Sequence, residues 1–271
     1  MISAATTLVG LIGDPVAHSL SPRMQNAAFR AAGLDWAYVP LRVDPARLPE
    51  ALRGLAGLSF AGANVTIPHK EGVAALVDEL SGVARAAGSV NTVVVRPDGT
   101  LLGDSTDGGA VTGALAAAAG EGVLRERVLV LGAGGSARAA AAALQAGGAE
   151  VAVWSRRSEA AVALAGALGV AAVDRLPSPL PPVLVNCTPL GGAKALTESP
   201  VSADSLKDVH AVCDLAYRPD AAPTVLCRDA AERGAAVVDG IEVLVLQGAR
   251  SFAIWTGLEP DLEVMRGAIR S

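Results

Sequence analysis

An aliphatic run, Val128 to Leu131, is followed by Gly132-Ala133-Gly134-Gly135-Ser136-Ala137 and then by an alanine-rich stretch. This G-x-G-x-x-A spacing is what a strand-to-helix turn needs in order to hold a pyrophosphate. The first glycine permits the sharp turn, Gly134 lets the anion approach the backbone, and Ala137 allows close helix packing, while the helix start offers N–H groups to negative charge. A bare match is often a glycine-rich turn with no ligand. Here a second strand, Val151 to Trp154, and a helix, Glu159 to Leu168, follow in order, which favours a dinucleotide site. An NAD site would carry an acid at the end of that second strand. Ser155-Arg156-Arg157-Ser158 stands there instead, and a guanidinium grips a 2′-phosphate that a carboxylate would repel. The expected cofactor is NADP(H), with a solvated arginine pair at a helix start as the plain alternative.

A second chemical candidate is Lys70, in Asn64-Val65-Thr66-Ile67-Pro68-His69-Lys70, which the pattern places one turn into a helix just beyond a buried strand. Strand ends in α/β proteins are where ligands sit. Taken alone, Lys70 is as readily a surface lysine, and Asn64 and Thr66 as readily turn and capping residues. Three further polar clusters interrupt apolar stretches: Ser19-Leu20-Ser21-Pro22, Ser89-Val90-Asn91-Thr92 and Gly103-Asp104-Ser105-Thr106-Asp107-Gly108. The first also reads as a helix N-cap followed by Pro at the first helical position.

These residues need a frame, and the periodicity supplies an α/β one: short aliphatic runs alternate with Ala/Leu-rich helical stretches, the pattern of βαβ units. Strands are expected at Thr7 to Ile12, Ala37 to Val43, Gly62 to Val65 and Val90 to Val95, with helices from Pro22, Pro45 and His69. Arg96-Pro97-Asp98-Gly99 reads as a tight hairpin turn, so the first sheet is mixed. Further strands are expected at Val183 to Asn186, Ala211 to Leu215 and Ala236 to Val238, with a Pro-rich loop from Pro177 to Pro182 and a helix at Thr224 to Arg233. Two last helices, Ile241 to Trp255 and Leu262 to Ile269, precede no strand and are expected to pack back on the first domain.

With 271 residues, 51% hydrophobic and 18% charged, the chain can bury a substantial core, and 3% aromatics mean that this core is built from small aliphatic side chains. Mean hydropathy is +0.42, yet Gly, Pro or a charge breaks every apolar stretch before the roughly 18 residues a span requires, so a soluble protein is expected. No basic, cleavable apolar segment opens the chain, which points to the cytoplasm. Cys187, Cys213 and Cys227 are widely spaced and set in apolar strands or helices, as reduced thiols would be. His18, His69 and His210 lack metal-ligand spacing, and no metal is expected. A net charge of −5 with no basic patch offers nucleic acid no footprint, so the partner is a small molecule.

Taken in order, the motifs resemble those of the shikimate dehydrogenase family: A-H-S-x-S-P at Ala17 to Pro22, N-V-T-x-P-x-K at Asn64 to Lys70, G-x-V-N-T at Gly88 to Thr92, G-x-N-T-D-G at Gly103 to Gly108, G-x-G-G-x-x-R at Gly132 to Arg138, N-x-T at Asn186 to Thr188, and Asp239-Gly240 leading to Gln247. The resemblance covers nearly the whole chain. It implies two domains: residues 1–106 plus 240–271 as an α/β substrate domain with a mixed sheet, and residues 107–239 as a Rossmann-type NADP domain with a doubly wound parallel sheet. It also implies reversible reduction of 3-dehydroshikimate to shikimate in aromatic amino-acid biosynthesis, with Lys70 and Asp107 as the catalytic pair. By the same likeness Ser19 and Ser21 hold the substrate carboxylate, while Asn64, Thr66, Asn91, Asp107, Tyr217 and Gln247 surround the ring hydroxyls. Thr188 and Gly240 join the cofactor residues. Three departures stand out: Ser105 replaces the usual Asn, weakening a contact between domains; Ser155 and Arg157 flank Arg156 where N-R-T is typical, loosening the cofactor preference; and Val243 replaces Met.

The residue chemistry agrees with that reading. Hydride delivery to a ketone builds negative charge on its oxygen, and a positioned ammonium both stabilises the charge and passes a proton. Asp107 is expected to orient the lysine and bond a substrate hydroxyl. Hydroxyl donors beside the helix at Pro22 can hold a carboxylate without a buried arginine. Tyr217 is alternatively a core residue, and Gln247 a helix contact. Rival readings are an NAD-accepting quinate/shikimate dehydrogenase, a non-catalytic NADP-binding regulatory homologue, and a lysine-using folate dehydrogenase, which would leave the paired serines without a role. A monomer or a homodimer is expected.

Overall fold

The computed structural model describes residues 2–270 and separates into two compact units: residues 1–106 with 245–271, and residues 107–244.

In the first unit, β1 (Thr7–Gly13), α1 (Ser21–Ala31), β2 (Trp36–Arg42), α2 (Leu48–Gly57) and β3 (Gly62–Val65) form the expected βαβαβ run. After it come α3 (Lys70–Ala74), β4 (Glu79–Leu80), α4 (Gly82–Ala87), β5 (Thr92–Val95) and β6 (Leu101–Asp104). The sheet order is β2-β1-β3-β5-β6-β4. β1 pairs parallel with β2 and β3, whereas β5 runs antiparallel to β3 and β6, so the sheet is mixed as the hairpin turn required. That turn closes with Arg96 N–H donating to Thr100 O at 2.9 Å. Sequence reasoning did not anticipate β4 and α4; a two-residue strand and a six-residue helix are too short to show a period.

The second unit holds α5 (Asp107–Ala119), β7 (Arg127–Leu131), α6 (Gly135–Ala146), β8 (Glu150–Trp154), α7 (Ser158–Leu168), β9 (Ala171–Val173), β10 (Val183–Asn186), β11 (Ala211–Asp214), α8 (Val225–Glu232) and β12 (Ala236–Val238). Its sheet is wholly parallel, in the order β12-β11-β10-β7-β8-β9. Strand order reverses between β7 and β10, the place where doubly wound sheets bind ligands beyond the strands' carboxyl ends. Leu129, Leu131, Leu184 and Val212 from the strands pack with Leu206, Leu226 and Ala230. The expectations did not include α5, which buries one face through Ala110, Val111, Ala114 and Leu115 but shows no amphipathic stripe in sequence because alanine and glycine fill its exposed face as well.

Helix α9 (Gly240–Thr256) starts in the second unit, and its residues from Val245 belong to the first, together with α10 (Leu262–Arg270). The C-terminal helices therefore return to the first unit, where Phe252 stacks on Phe29 of α1 with ring centroids 5.1 Å apart. Close approach is secured by Gly248 of α9: a Cβ there would strike the Met24 side chain, and its carbonyl accepts from Gln25 Nε2 at 2.9 Å.

Among the described residues no helix is long and apolar enough to cross a membrane, and no group of three or more His, Cys, Asp or Glu side chains could hold a metal ion. All three cysteines are free thiols, but Cys187 lies just past β10 and is half-buried, a correction to its expected place inside an apolar element.

Candidate active site and dinucleotide turn

In the first unit the candidate residues gather at the carboxyl ends of β1 and β3 and around the loops beside β5 and β6. Lys70 opens α3 rather than sitting a turn inside it, because His69 is the residue that caps this helix. Its backbone is held firmly. The Lys70 carbonyl accepts from Val90 N–H at 3.0 Å, His69 N–H donates to Thr66 O at 3.0 Å, and the buried His69 ring donates from Nε2 to Val43 O at 2.8 Å. Thr66 in turn donates its N–H to Ile12 O at 2.8 Å, so the N-V-T segment is pinned to β1.

Helix α1 begins at Ser21, with Leu20 at the N-cap and no side chain capping it, which corrects the expectation that the serine cluster supplies the cap. Ser19 Oγ instead accepts from Ser21 N–H at 3.2 Å. Ser21 is buried, Ser19 half-buried, and both lie at the amino end of an 11-residue helix, an environment that favours an anion.

Asn64, Asn91, Thr106 and Gln247 share one buried network. Asn91 Oδ1 accepts Thr106 N–H at 2.8 Å; its Nδ2 donates to Thr106 Oγ1 at 2.8 Å and to Gln247 Oε1 at 3.2 Å. Thr106 Oγ1 lies 3.0 Å from Gln247 O, which accepts from it. Asn64 is more inward-looking than a simple ligand: Oδ1 accepts from Tyr38 OH at 2.8 Å, and Nδ2 donates to Asn91 O and to Ser251 Oγ at 3.0 and 2.9 Å. Sequence reasoning missed Tyr38 and Ser251. Ser251 lies one helical turn beyond Gln247, a spacing that could have revealed it; nothing in the β2 pattern marks Tyr38. Ser105 Oγ is buried and has no hydrogen-bond partner among the described residues, as a shortened stand-in for an amide would be.

In the second unit the glycine turn has the geometry its spacing implies. Gly132 adopts φ +113°, open to glycine and strained for other residues, and a Cβ there would sit 3.1 Å from the Cys187 carbonyl group on the neighbouring β10 loop. At Gly134 an added Cβ would meet nothing within 4 Å, so the backbone faces open space. Gly134 is also the N-cap of the 12-residue α6 and brings no side chain to it, while Ala137 is fully buried against the sheet. These features fit a pyrophosphate. At the end of β8, Ser155 is half-buried, and Arg156 and Arg157 are exposed with no carboxylate partner among the described residues. Asp107 is the first residue of α5 and is buried; its carboxylate accepts from Ser136 Oγ at 3.3 Å, next to the glycine turn. Gly108 makes this possible, since a Cβ there would run into the Ala139 carbonyl of α6.

Across the strand reversal, Thr188 donates from both N–H and Oγ1 to Asn186 Oδ1, at 2.9 and 2.7 Å. Asn186 Nδ2 donates to Asp214 Oδ1 at 2.8 Å. Burial lifts Asp214 to about 6, against the lowering effect of Thr224, Ala216, Asn186 and Cys227. Tyr217 is half-buried on the loop after β11, and Gly240 abuts the backbone of Leu215 and Ala216 so closely that a side chain would not fit.

A parallel sheet wound in this order, with a glycine turn at its reversal, defines a class: an α/β protein whose second unit is built to hold a dinucleotide. Residues 11–93 match the shikimate dehydrogenase substrate-binding domain, and residues 240–270 match the shikimate 5′-dehydrogenase C-terminal domain. The shikimate dehydrogenase (NADP(+)) of Rubrobacter xylanophilus is 46% identical over 280 residues, spanning 99% of this chain and 97% of that one. Shikimate 5-dehydrogenase from Thermus thermophilus, solved with NADP(H) and shikimate, is 38% identical with a TM-score of 0.86, covering 98% and 99% of the two chains. Shikimate dehydrogenase from Aquifex aeolicus is 36% identical with a TM-score of 0.91 and full coverage of both chains. The chain belongs to the shikimate dehydrogenase family.

Proposed function

We propose that this protein catalyses the reversible, NADPH-dependent reduction of 3-dehydroshikimate to shikimate, a step of aromatic amino-acid biosynthesis. The observation that carries this reading is Asp107: an acid from the G-D-S-T-D-G motif, buried and hydrogen-bonded to Ser136 of the helix that opens at the glycine turn. The unit of residues 1–106 with 245–271 chiefly serves the substrate, and that of residues 107–244 chiefly the dinucleotide.

When bound, NADPH supplies the hydride. Lys70 holds the proton that the developing alkoxide takes up, and its ammonium stabilises the charge on that oxygen as it forms. Asp107 orients the lysine and accepts a hydrogen bond from a ring hydroxyl. Ser19 and Ser21 bind the carboxylate at the start of α1, and Asn64, Thr66, Asn91, Tyr217 and Gln247 read the hydroxyls. For Asn64 this role falls to the capacity left by its inward network. Gly132, Ala133, Gly134, Gly135, Ser136 and Ala137 take the pyrophosphate; Ser155, Arg156 and Arg157 the 2′-phosphate; Thr188 and Gly240 the nicotinamide side. The protein works in the cytoplasm as a monomer or homodimer.

NADPH oxidation with 3-dehydroshikimate tests the assignment. Lys70→Ala is expected to lose about 10²–10⁴ in kcat with little change in the KM for substrate, because the lysine acts mainly in the transition state. A variant that keeps most of its rate removes Lys70 as the proton donor.

A further inference from the structure

We propose that Asp214, which takes no part in the chemistry above, is the positioning residue that holds Thr188 and the Ala216–Tyr217 backbone at the sheet's strand reversal. Its requirement is an acceptor at Oδ1, not a negative charge. The inference rests on the reading of Thr188 as a cofactor contact.

The argument starts from register. Asn186 and Asp214 end adjacent parallel strands and are Cα partners, so their side chains leave the same face of the sheet. Neither is accessible to solvent. Buried polar groups without partners cost more than the bonds they make return, so a carboxylate in this place has to be satisfied from several sides. It is. Oδ1 accepts from Asn186 Nδ2 at 2.8 Å and from Ala216 N–H at 3.0 Å, and Oδ2 accepts from Thr224 Oγ1 at 2.6 Å. Thr224 Oγ1 also caps α8 by accepting from Cys227 N–H at 3.2 Å. One side chain therefore ties together the loop after β10, the loop after β11 and the start of α8.

The orientation of Asn186 is fixed in turn. Its Oδ1 is claimed by the Thr188 N–H and hydroxyl, so its Nδ2 must face Asp214, where a donor-only group needs an acceptor. The Ala216 N–H imposes the same demand on the same oxygen. Oδ2 is different, because its partners, the Thr224 hydroxyl and the Cys227 thiol at 3.9 Å, are groups that can rotate and accept. A protonated acid or an amide at position 214 can thus donate to Thr224 Oγ1 while Oδ1 goes on accepting. The titratable groups around it, Cys213, Cys227 and Asp239, are all acids, and burial with neighbouring negative charge pushes both thiols up, Cys227 to about 12. This environment disfavours charge on Asp214 without disfavouring the network.

The test uses the full chain and four measurements on each variant: KM for NADPH, KM for 3-dehydroshikimate, kcat, and the unfolding midpoint. Asp214→Leu removes both acceptors and is expected to raise the KM for NADPH by about tenfold or more through Thr188, and the KM for 3-dehydroshikimate as well through the released Ala216–Tyr217 backbone. Asp214→Asn is expected to keep both constants near the parent values. Asn186→Ala breaks only the link to Thr188 and leaves the Ala216 N–H on Asp214, so it is expected to raise the KM for NADPH with the KM for 3-dehydroshikimate within about twofold, and it serves alone if Asp214→Leu does not fold. An unchanged KM for NADPH in a folded Asp214→Leu or Asn186→Ala overturns the positioning role. A rise in the KM for NADPH in Asp214→Asn equal to that of Asp214→Leu overturns the acceptor requirement. A parent protein that fails to oxidise NADPH at all, by contrast, overturns the proposed function itself.

Discussion

Asn91 Oδ1 accepts the main-chain N–H of Thr106 at 2.8 Å, one peptide bond before Asp107. The residue in front of the proposed catalytic acid is thereby fixed by an amide from another loop. Gln247 O accepts the Thr106 hydroxyl at 3.0 Å and closes the clamp. Ser251, a turn further along α9, donates to the same carbonyl at 3.0 Å.

Ser251→Ala follows directly from this arrangement. The hydroxyl is fully buried and meets Asn64 Nδ2, Thr92 Oγ1 and the Gln247 carbonyl. Its loss is expected to cost about 1–3 kcal/mol in urea unfolding, near the low end because Asn64 Nδ2 keeps Asn91 O as an acceptor. An unchanged midpoint would show that the network closes without it.

The arginines after β8 are the residues proposed to set cofactor preference. Replacing both Arg156 and Arg157 by Ala is expected to raise the KM for NADPH by about 10–100-fold, since a hydrogen bond to a charged group contributes roughly 1.5–3 kcal/mol. The KM for NADH should stay within a small factor. Parallel increases for both cofactors would mean that neither arginine reads the 2′-phosphate.

Gly132→Ala is a test of the turn. At φ +113° a side chain is strained, and the added Cβ crowds the Cys187 carbonyl at 3.1 Å. Strain of this kind is of order 1–3 kcal/mol, and dinucleotide affinity should fall along with thermal stability. Isothermal titration with NADP+ and a melting curve measure the two together.

Asp214 predicts a pH dependence of stability. Its acid is lifted from an ordinary 3.8 to about 6 in the folded protein, chiefly by burial. A raised folded value means that the native state binds the proton more tightly, so this stabilising contribution is full below about pH 4 and is lost as pH rises through about 6. Its size is on the order of 3 kcal/mol. Subtracting the denaturation profile of Asp214→Asn from that of the parent, between pH 4 and 7, isolates it; a flat difference would show that the carboxyl stays ionised throughout.

Much of this protein was legible from residue order alone. The Gly132 turn and the strands β7, β8 and β10 carry their meaning in local terms: a positive φ needs glycine, a buried strand needs aliphatic residues, and spacing along one chain fixes a strand-turn-helix unit. Where local periodicity was too short or too uniform, as in β4, α4 and α5, the reading failed. What tertiary structure alone decided were the partners of each polar group. Sequence could name Asn64 and Gln247, but not that Tyr38 and Ser251 meet the first, nor that Asp214 underlies Thr188 through Asn186. Such contacts join residues 26 to 187 positions apart, and they follow from strand register and helix return, which no local pattern encodes.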